Sequence, residues 1–196
     1  MRPLITALIL IAFGLIVFVS GCSTYNGFVD TEEEVENAWS KVQSAYQRRS
    51  DLIPNLVNTV KGYANFEQET LTKVVEARAK ATSININPAN ATPEQLKAFQ
   101  DAQAGVSQSL GRLLVTVEQY PELKANQNFL ELQTQLEGTE NRIKVERDNY
   151  NNVVTNYNKK VRRFPGNLYA GMFGFSQKAQ FQEEEGAQNA PEVNFE

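Results

Sequence analysis

A chain of 196 residues with 19 Lys and Arg against 23 Asp and Glu carries a formal net charge of -4, has no His and has a single Cys. Without His it lacks the usual neutral-pH general base, the commonest metal ligand and any Ser-His-Asp triad, and one Cys builds neither a disulfide framework nor a thiolate metal centre. A pI near 5.1 with no basic block argues against nucleic acid as a partner, because phosphate binding draws on clustered Lys and Arg.

The first element is an uncharged apolar run from Leu4 to Val19, followed by Val19-Ser20-Gly21-Cys22. As a helix the run spans roughly 24 Å, short of the roughly 30 Å hydrocarbon core, so it reads better as a signal peptide than as a comfortable span. V-S-G-C resembles the lipobox of bacterial lipoproteins, in which the thiol is diacylated and becomes the mature N-terminus. That gives residues 1–21 as signal peptide, Cys22 as lipidation site and 22–30 as linker; the alternative is an uncleaved, tilted anchor. In both cases Arg2 precedes the run and Asp30, Glu32, Glu33, Glu34 and Glu36 follow it, so the positive-inside bias leaves the body outside the cytoplasm.

Residues 31–175 read as helix. Thr31-Glu32-Glu33-Glu34 has the capping-box pattern with acids in the first turn. Apolar residues then recur at steps of three and four: Val35, Trp39, Val42, Tyr46, Ile53, Leu56, Val60, Tyr63, Val74, Ala77 and Ala81. Pro54 interrupts this seam and predicts either two helices meeting near Ser50-Asp51 or one kinked rod. A loop follows at 82–91. Thr92-Pro93-Glu94-Gln95 then opens a helix with both a capping box and an N1 proline, seamed by Leu96, Phe99, Val106, Leu110, Leu113 and Val117. A turn belongs at Tyr120-Pro121, and the last and longest helix runs to about Arg163. The tail, 176–196, is rich in Gln, Glu and Asn and is expected to be disordered.

Arg48-Arg49-Ser50-Asp51-Leu52-Ile53-Pro54-Asn55-Leu56-Val57, Thr59-Val60-Lys61-Gly62-Tyr63-Ala64, Ala77-Arg78, Tyr120-Pro121-Glu122-Leu123-Lys124-Ala125-Asn126 and Thr139-Glu140-Asn141-Arg142-Ile143 together resemble the LemA family of bacterial envelope proteins. The resemblance runs from about residue 25 to 175. It implies an all-α, antiparallel up-and-down four-helix bundle held by an N-terminal anchor, in a family without an established enzymatic activity or agreed molecular function. Cys22 departs from the usual family pattern and points to a lipid as the anchor.

Three groups of residues are candidates for function. Arg49, Glu67, Glu140 and Arg147 interrupt the coiled-coil-like seams with two charges of each sign, as a buried layer that sets register or as a ligand site. Glu67 and Glu140 could also form a glycosidase-like acid and base across a cleft. Asn149, Asn152 and Asn156 line a strip of the last helix, either as a partner face or as a solvated one. Leu168 to Phe175 is apolar and too short to span a bilayer, so Tyr169, Met172, Phe173 and Phe175 suit a membrane or partner contact, or packing over the end of the bundle. A chain reversal at Pro54 would place this segment beside the anchor. The expected role is a non-catalytic scaffold or interaction module of the cell envelope with a membrane and a protein partner and without cofactor or metal; a ligand-binding sensor is the alternative, and a carboxylate hydrolase a distant third.

Overall fold

The computed structural model describes residues 2–63 and 67–182, and these are helical throughout apart from turns and one extended segment. The helices are α1 (Arg2–Lys61), α2 (Gln68–Ser83), α3 (Pro93–Val117), the single turn α4 (Pro121–Lys124), α5 (Gln127–Arg162) and α6 (Gly166–Phe173). An extended strap, 175–182, follows α6.

α1 is a rod of 60 residues, about 90 Å long. The linker expected at 22–30 is absent, and of the two readings of Pro54 the single rod is the one present. Around the supposed linker the hydroxyls turn back onto their own helix: Thr24 Oγ1 donates to Ser20 O at 2.8 Å and Thr31 Oγ1 to Gly27 O at 2.8 Å. Thr31 therefore sits inside the helix and caps nothing. Burial of Phe28 and Thr31 under the C-terminal elements supplies the packing energy that keeps this stretch helical.

At Pro54 the missing N–H leaves the Ser50 carbonyl without its helix donor. Arg78 of α2 fills that role, its Nε donating to Ser50 O at 2.8 Å. With the orphaned acceptor satisfied from a neighbouring helix, the rod continues for another two turns and reverses between Lys61 and Gln68 instead. Beyond the reversal α2 packs on α3, while α1 packs along α5.

α3 opens with the expected capping box, Thr92 Oγ1 accepting from Gln95 N at 3.2 Å and Gln95 Oε1 from Thr92 N at 3.0 Å. The last long helix begins later than expected. Pro121 starts only a short turn, and Asn126 caps α5 by accepting from Phe129 N at 3.0 Å, while its Nδ2 donates to Tyr63 Oη at 2.7 Å.

Two apolar clusters fill the interior. The far one draws Ile53, Leu56 and Val60 from α1, Leu71 and Val74 from α2, Val106 to Val117 from α3, and Phe129 and Leu136 from α5. The one nearer the apolar N-terminus gathers Phe28, Val35, Trp39, Val42 and Tyr46 from α1, Leu96 and Phe99 from α3, and Ile143 to Val161 from α5. α2, with 16 residues against the 36 of α5, is too short to cover this second half. The strap takes its place and contributes Phe181, so 176–182 is ordered structure where the sequence predicted a disordered tail. Residues 183–196, the remainder of that expectation, lie outside the described residues.

Candidate functional site

Arg49 stands between the two clusters and is only 2% exposed. All its hydrogen bonds cross to α3 and α5. Nη1 donates to Ser107 Oγ at 2.8 Å and to Glu140 Oε1 at 2.7 Å, and Nη2 donates to Gln103 O at 3.1 Å and Gln103 Oε1 at 2.6 Å. Its guanidinium also lies 5.2 Å from the Tyr46 ring centroid. Glu140 keeps 39% of its side chain exposed, so the pair lies at the mouth of the α3/α5 groove.

Of the four charges singled out in the sequence, Arg49 and Glu140 do meet, and the other two lie elsewhere. Glu67 is exposed at the start of α2, where Thr70 Oγ1 donates to its Oε2 at 2.9 Å. Arg147 sits over Phe181, with its guanidinium 5.1 Å from the ring, and donates to Gln182 O at 3.3 Å. The single charged layer of four is thus corrected to one pair with two polar partners, Gln103 and Ser107, because α1, α2, α3 and α5 differ in length and do not keep a common register. Glu67 and Glu140 serve different partners on different helices, and nothing in this geometry unites them as an acid and base.

The asparagine strip faces outward, and a second set of asparagines on the same helix holds the strap. Asn152 and Asn156 are exposed and Asn149 is half-buried, whereas the working asparagines are Asn151 and Asn158. Asn158 Oδ1 accepts from Lys178 N at 2.9 Å and its Nδ2 donates to Lys178 O at 2.9 Å. Asn151 repeats this with Phe181, at 2.9 Å and 3.0 Å. Gln100 on α3 grips Gln182 in the same way, at 3.1 Å and 2.9 Å. Tyr150 Oη donates to Ala179 O at 3.2 Å.

Lys178 is buried, with Nζ paired to Glu32, donating to Ala89 O at 2.9 Å and lying 5.4 Å from the Tyr157 ring centroid. Burial pushes the Tyr150 and Tyr157 hydroxyls up to about 12, and the negative charge of Glu32 adds to the effect at Tyr157. Sequence periodicity had no means of finding these clamps, because their partners are backbone groups of a segment with no pattern of its own.

The apolar segment 168–175 lies against α1 at the end of the N-terminal run. The Tyr169 ring covers Gly21, where Cε1 would be 3.3 Å from an added Cβ. Tyr25 meets Phe173 and Phe175 at ring separations of 5.1 and 5.6 Å, and Phe28 meets Phe175 at 5.0 Å. The other side of α6 is open: Leu168 and Met172, one turn apart, are 60% and 72% exposed, next to exposed Phe164 and the basic residues Lys159, Lys160, Arg162 and Arg163. Cys22 is exposed at the same level.

Among the described residues α1 is long and apolar enough, by length and composition, to cross a membrane; it is exposed from Leu4 to Ile16 and continuous with an all-α body, which suits a membrane-associated helical protein. A model described as the LemA family matches residues 38–195. Protein LemA of Metamycoplasma hominis is 32% identical over 160 residues, covering 82% of this chain and 69% of that protein. Magnetosome protein MamQ 2 of Paramagnetospirillum magneticum is 29% identical over 176 residues, and magnetosome protein MamQ of Magnetospirillum gryphiswaldense 27%, each match covering 81% of this chain and 65% of the relative. The chain therefore spans about two thirds of the length of these relatives. It belongs to the LemA family.

Proposed function

We propose that the protein is a non-catalytic scaffold of the cell envelope that holds a stiff helical body at fixed height and orientation on the outer side of a membrane. The observation that carries this reading is the unbroken α1. From Cys22 onward the helix runs into the core without a hinge, so it transmits the position of the anchor to the whole body, and α6 braces it at Tyr25 and Phe28. Arg2 before the apolar run and the acids after it favour the extracytoplasmic side.

The anchor chemistry we favour is a lipid on Cys22, supported by V-S-G-C and the exposure of that thiol. Two acyl chains on one thiol suffice for stable anchoring. The Leu168/Met172 ridge with its flanking basic residues adds a contact beside them, resting in the interface of an anionic membrane. Mass spectrometry of the protein from its host tests the lipid: a mature chain starting at acylated Cys22 is expected, and an unmodified full-length chain refutes it.

Nitroxides at Leu168, Met172 and, as a water-exposed reference, Val115 test the height in anionic vesicles. Relaxation by oxygen is expected to dominate at 168 and 172, and relaxation by a water-soluble metal complex at 115. Equal exposure of all three to the water-soluble reagent would reject the arrangement.

A further inference from the structure

The strap is held as a peptide ligand is held. Asn151 and Asn158 are seven residues apart on α5, about 10.5 Å along a helix, and they grip residues 178 and 181, three residues apart in an extended chain, about 10 Å. The two repeats match, so one face of α5 reads an extended backbone at every third residue, and Gln100 adds a third clamp across the groove at Gln182. Main-chain grips of this kind supply affinity without regard to side chain, and pockets supply selectivity.

Two pockets do so here. Phe181 stacks on Trp39 at 5.8 Å with rings 17° apart and meets Tyr150 at 5.4 Å and Phe99 at 6.5 Å. Lys178 is read by Glu32, the Ala89 carbonyl and the Tyr157 ring. The pattern recognised is Lys-x-x-Phe in an extended chain. None of these contacts depends on the strap being joined to the same molecule, and the strap leaves α6 through Gly174, whose φ of 81° is a conformation that glycine adopts freely.

We infer that this groove is an extended-peptide site and that it exchanges its own strap for the strap of a second copy of the chain. The ligand that fits it on every clamp and in both pockets is residues 175–182, and a neighbouring molecule presents the same segment. The inference rests on the anchoring proposed above: copies held at one height by a hinge-free α1 present strap and groove at the same level. Their confinement to a surface raises the concentration of the neighbour's strap, and a reciprocal exchange of an identical element leaves every groove filled.

The test uses the Thr155/Gln180 contact, where Gln180 Nε2 donates to Thr155 Oγ1 at 2.7 Å. A heavy-isotope-labelled full-length Thr155→Cys chain and an unlabelled Gln180→Cys chain are co-reconstituted in anionic vesicles and treated with a short bismaleimide. Crosslinked peptides are identified by mass, so Cys22 stays native. A 155–180 crosslink between chains is expected, falling several-fold when the Gln180→Cys chain also carries Phe181→Ala or the Thr155→Cys chain carries Asn151→Ala. A chain with both cysteines reports the cis contact. A strong cis crosslink with none in trans overturns exchange, as does a trans crosslink indifferent to Phe181→Ala and Asn151→Ala. Flotation reports anchoring separately; if the chains fail to float, the same crosslink in concentrated detergent solution decides exchange on its own.

Discussion

Replacing Arg49 by Met removes the guanidinium while keeping most of the apolar stem, and the structure sets what that costs. Glu140, 39% exposed, can regain water, and Ser107 already faces it at 3.4 Å. Gln103 Oε1, on a residue 9% exposed, cannot, and a buried acceptor left unpaired costs about 1–3 kcal/mol, to which loss of the cation–π contact with Tyr46 adds about 0.5–2 kcal/mol, while the Gln103 carbonyl keeps its helix donor within α3. Arg49→Met should therefore destabilise the fold by ~3 kcal/mol, lowering Tm by about 6–12 °C for a body of this size. Glu140→Gln should cost less, about 1–2 kcal/mol, since Arg49 keeps Ser107 and Gln103 and half of the pair is already solvated; full breakage of a buried pair runs to about 3–5 kcal/mol. Replacing the set together, Arg49→Met with Gln103→Leu and Glu140→Leu, should recover most of the loss, because a well-packed apolar substitute for a buried ionic cluster is commonly neutral or better. Urea unfolding of the full chain in micelles, followed by helical circular dichroism, measures all three. An Arg49→Met variant within about 0.5 kcal/mol of the parent, or a triple variant as unstable as the single one, would refute the argument.

Other outcomes follow from the same geometry. Tyr150 and Tyr157 have hydroxyls raised to about 12 from an ordinary value of 10.0. Both prefer the neutral form in the fold, so their contribution is complete below pH 10 and is lost as pH rises from there to about 12; stability measured against pH should be flat up to about 9 and then fall, less steeply in the Tyr→Phe variants. At neutral pH Tyr150→Phe should cost about 1 kcal/mol for the bond to Ala179, while Tyr157→Phe should be near neutral, its buried hydroxyl having no protein partner. Arg78→Met should cost about 1–3 kcal/mol in the parent and much less in a Pro54→Ala background, where Ser50 O regains a helix donor; additive effects in that double-mutant cycle would refute the account of the proline. Gly166→Ala would set its Cβ 2.6 Å from the Lys160 carbonyl and should destabilise by about 1–3 kcal/mol, whereas Gly105→Ala, half-buried in mid-helix with nothing within 4 Å of the added Cβ, should stabilise by about 0.5–1 kcal/mol in thermal unfolding.

Much of this protein is local chemistry and was readable as such. The apolar run, the three-four seams of α1, α3 and α5, and the Thr92 capping box with Pro93 depend on residues within one or two turns of each other, and they gave the all-α class, the apolar helix suited to a membrane and most of the core. Where the chain turns was not local. Pro54 reads equally as a break or as a point within one rod, and the rod is chosen only because Arg78, 24 residues later, offers a donor to Ser50 O. Residues 22–30 read as a linker until α6 and the strap bury Phe28, and Pro121 reads as the start of a long helix until Asn126 caps one six residues on. The sites divide the same way. A charge on an apolar seam marks Arg49 as buried, but only packing chooses Glu140, Gln103 and Ser107 as its partners and sends Glu67 and Arg147 elsewhere. The strap is the clearest case: 176–182 has no periodicity, because its order comes from side chains of other elements closing on its backbone, and it becomes part of the core only because α2 is too short to fill that half of the bundle.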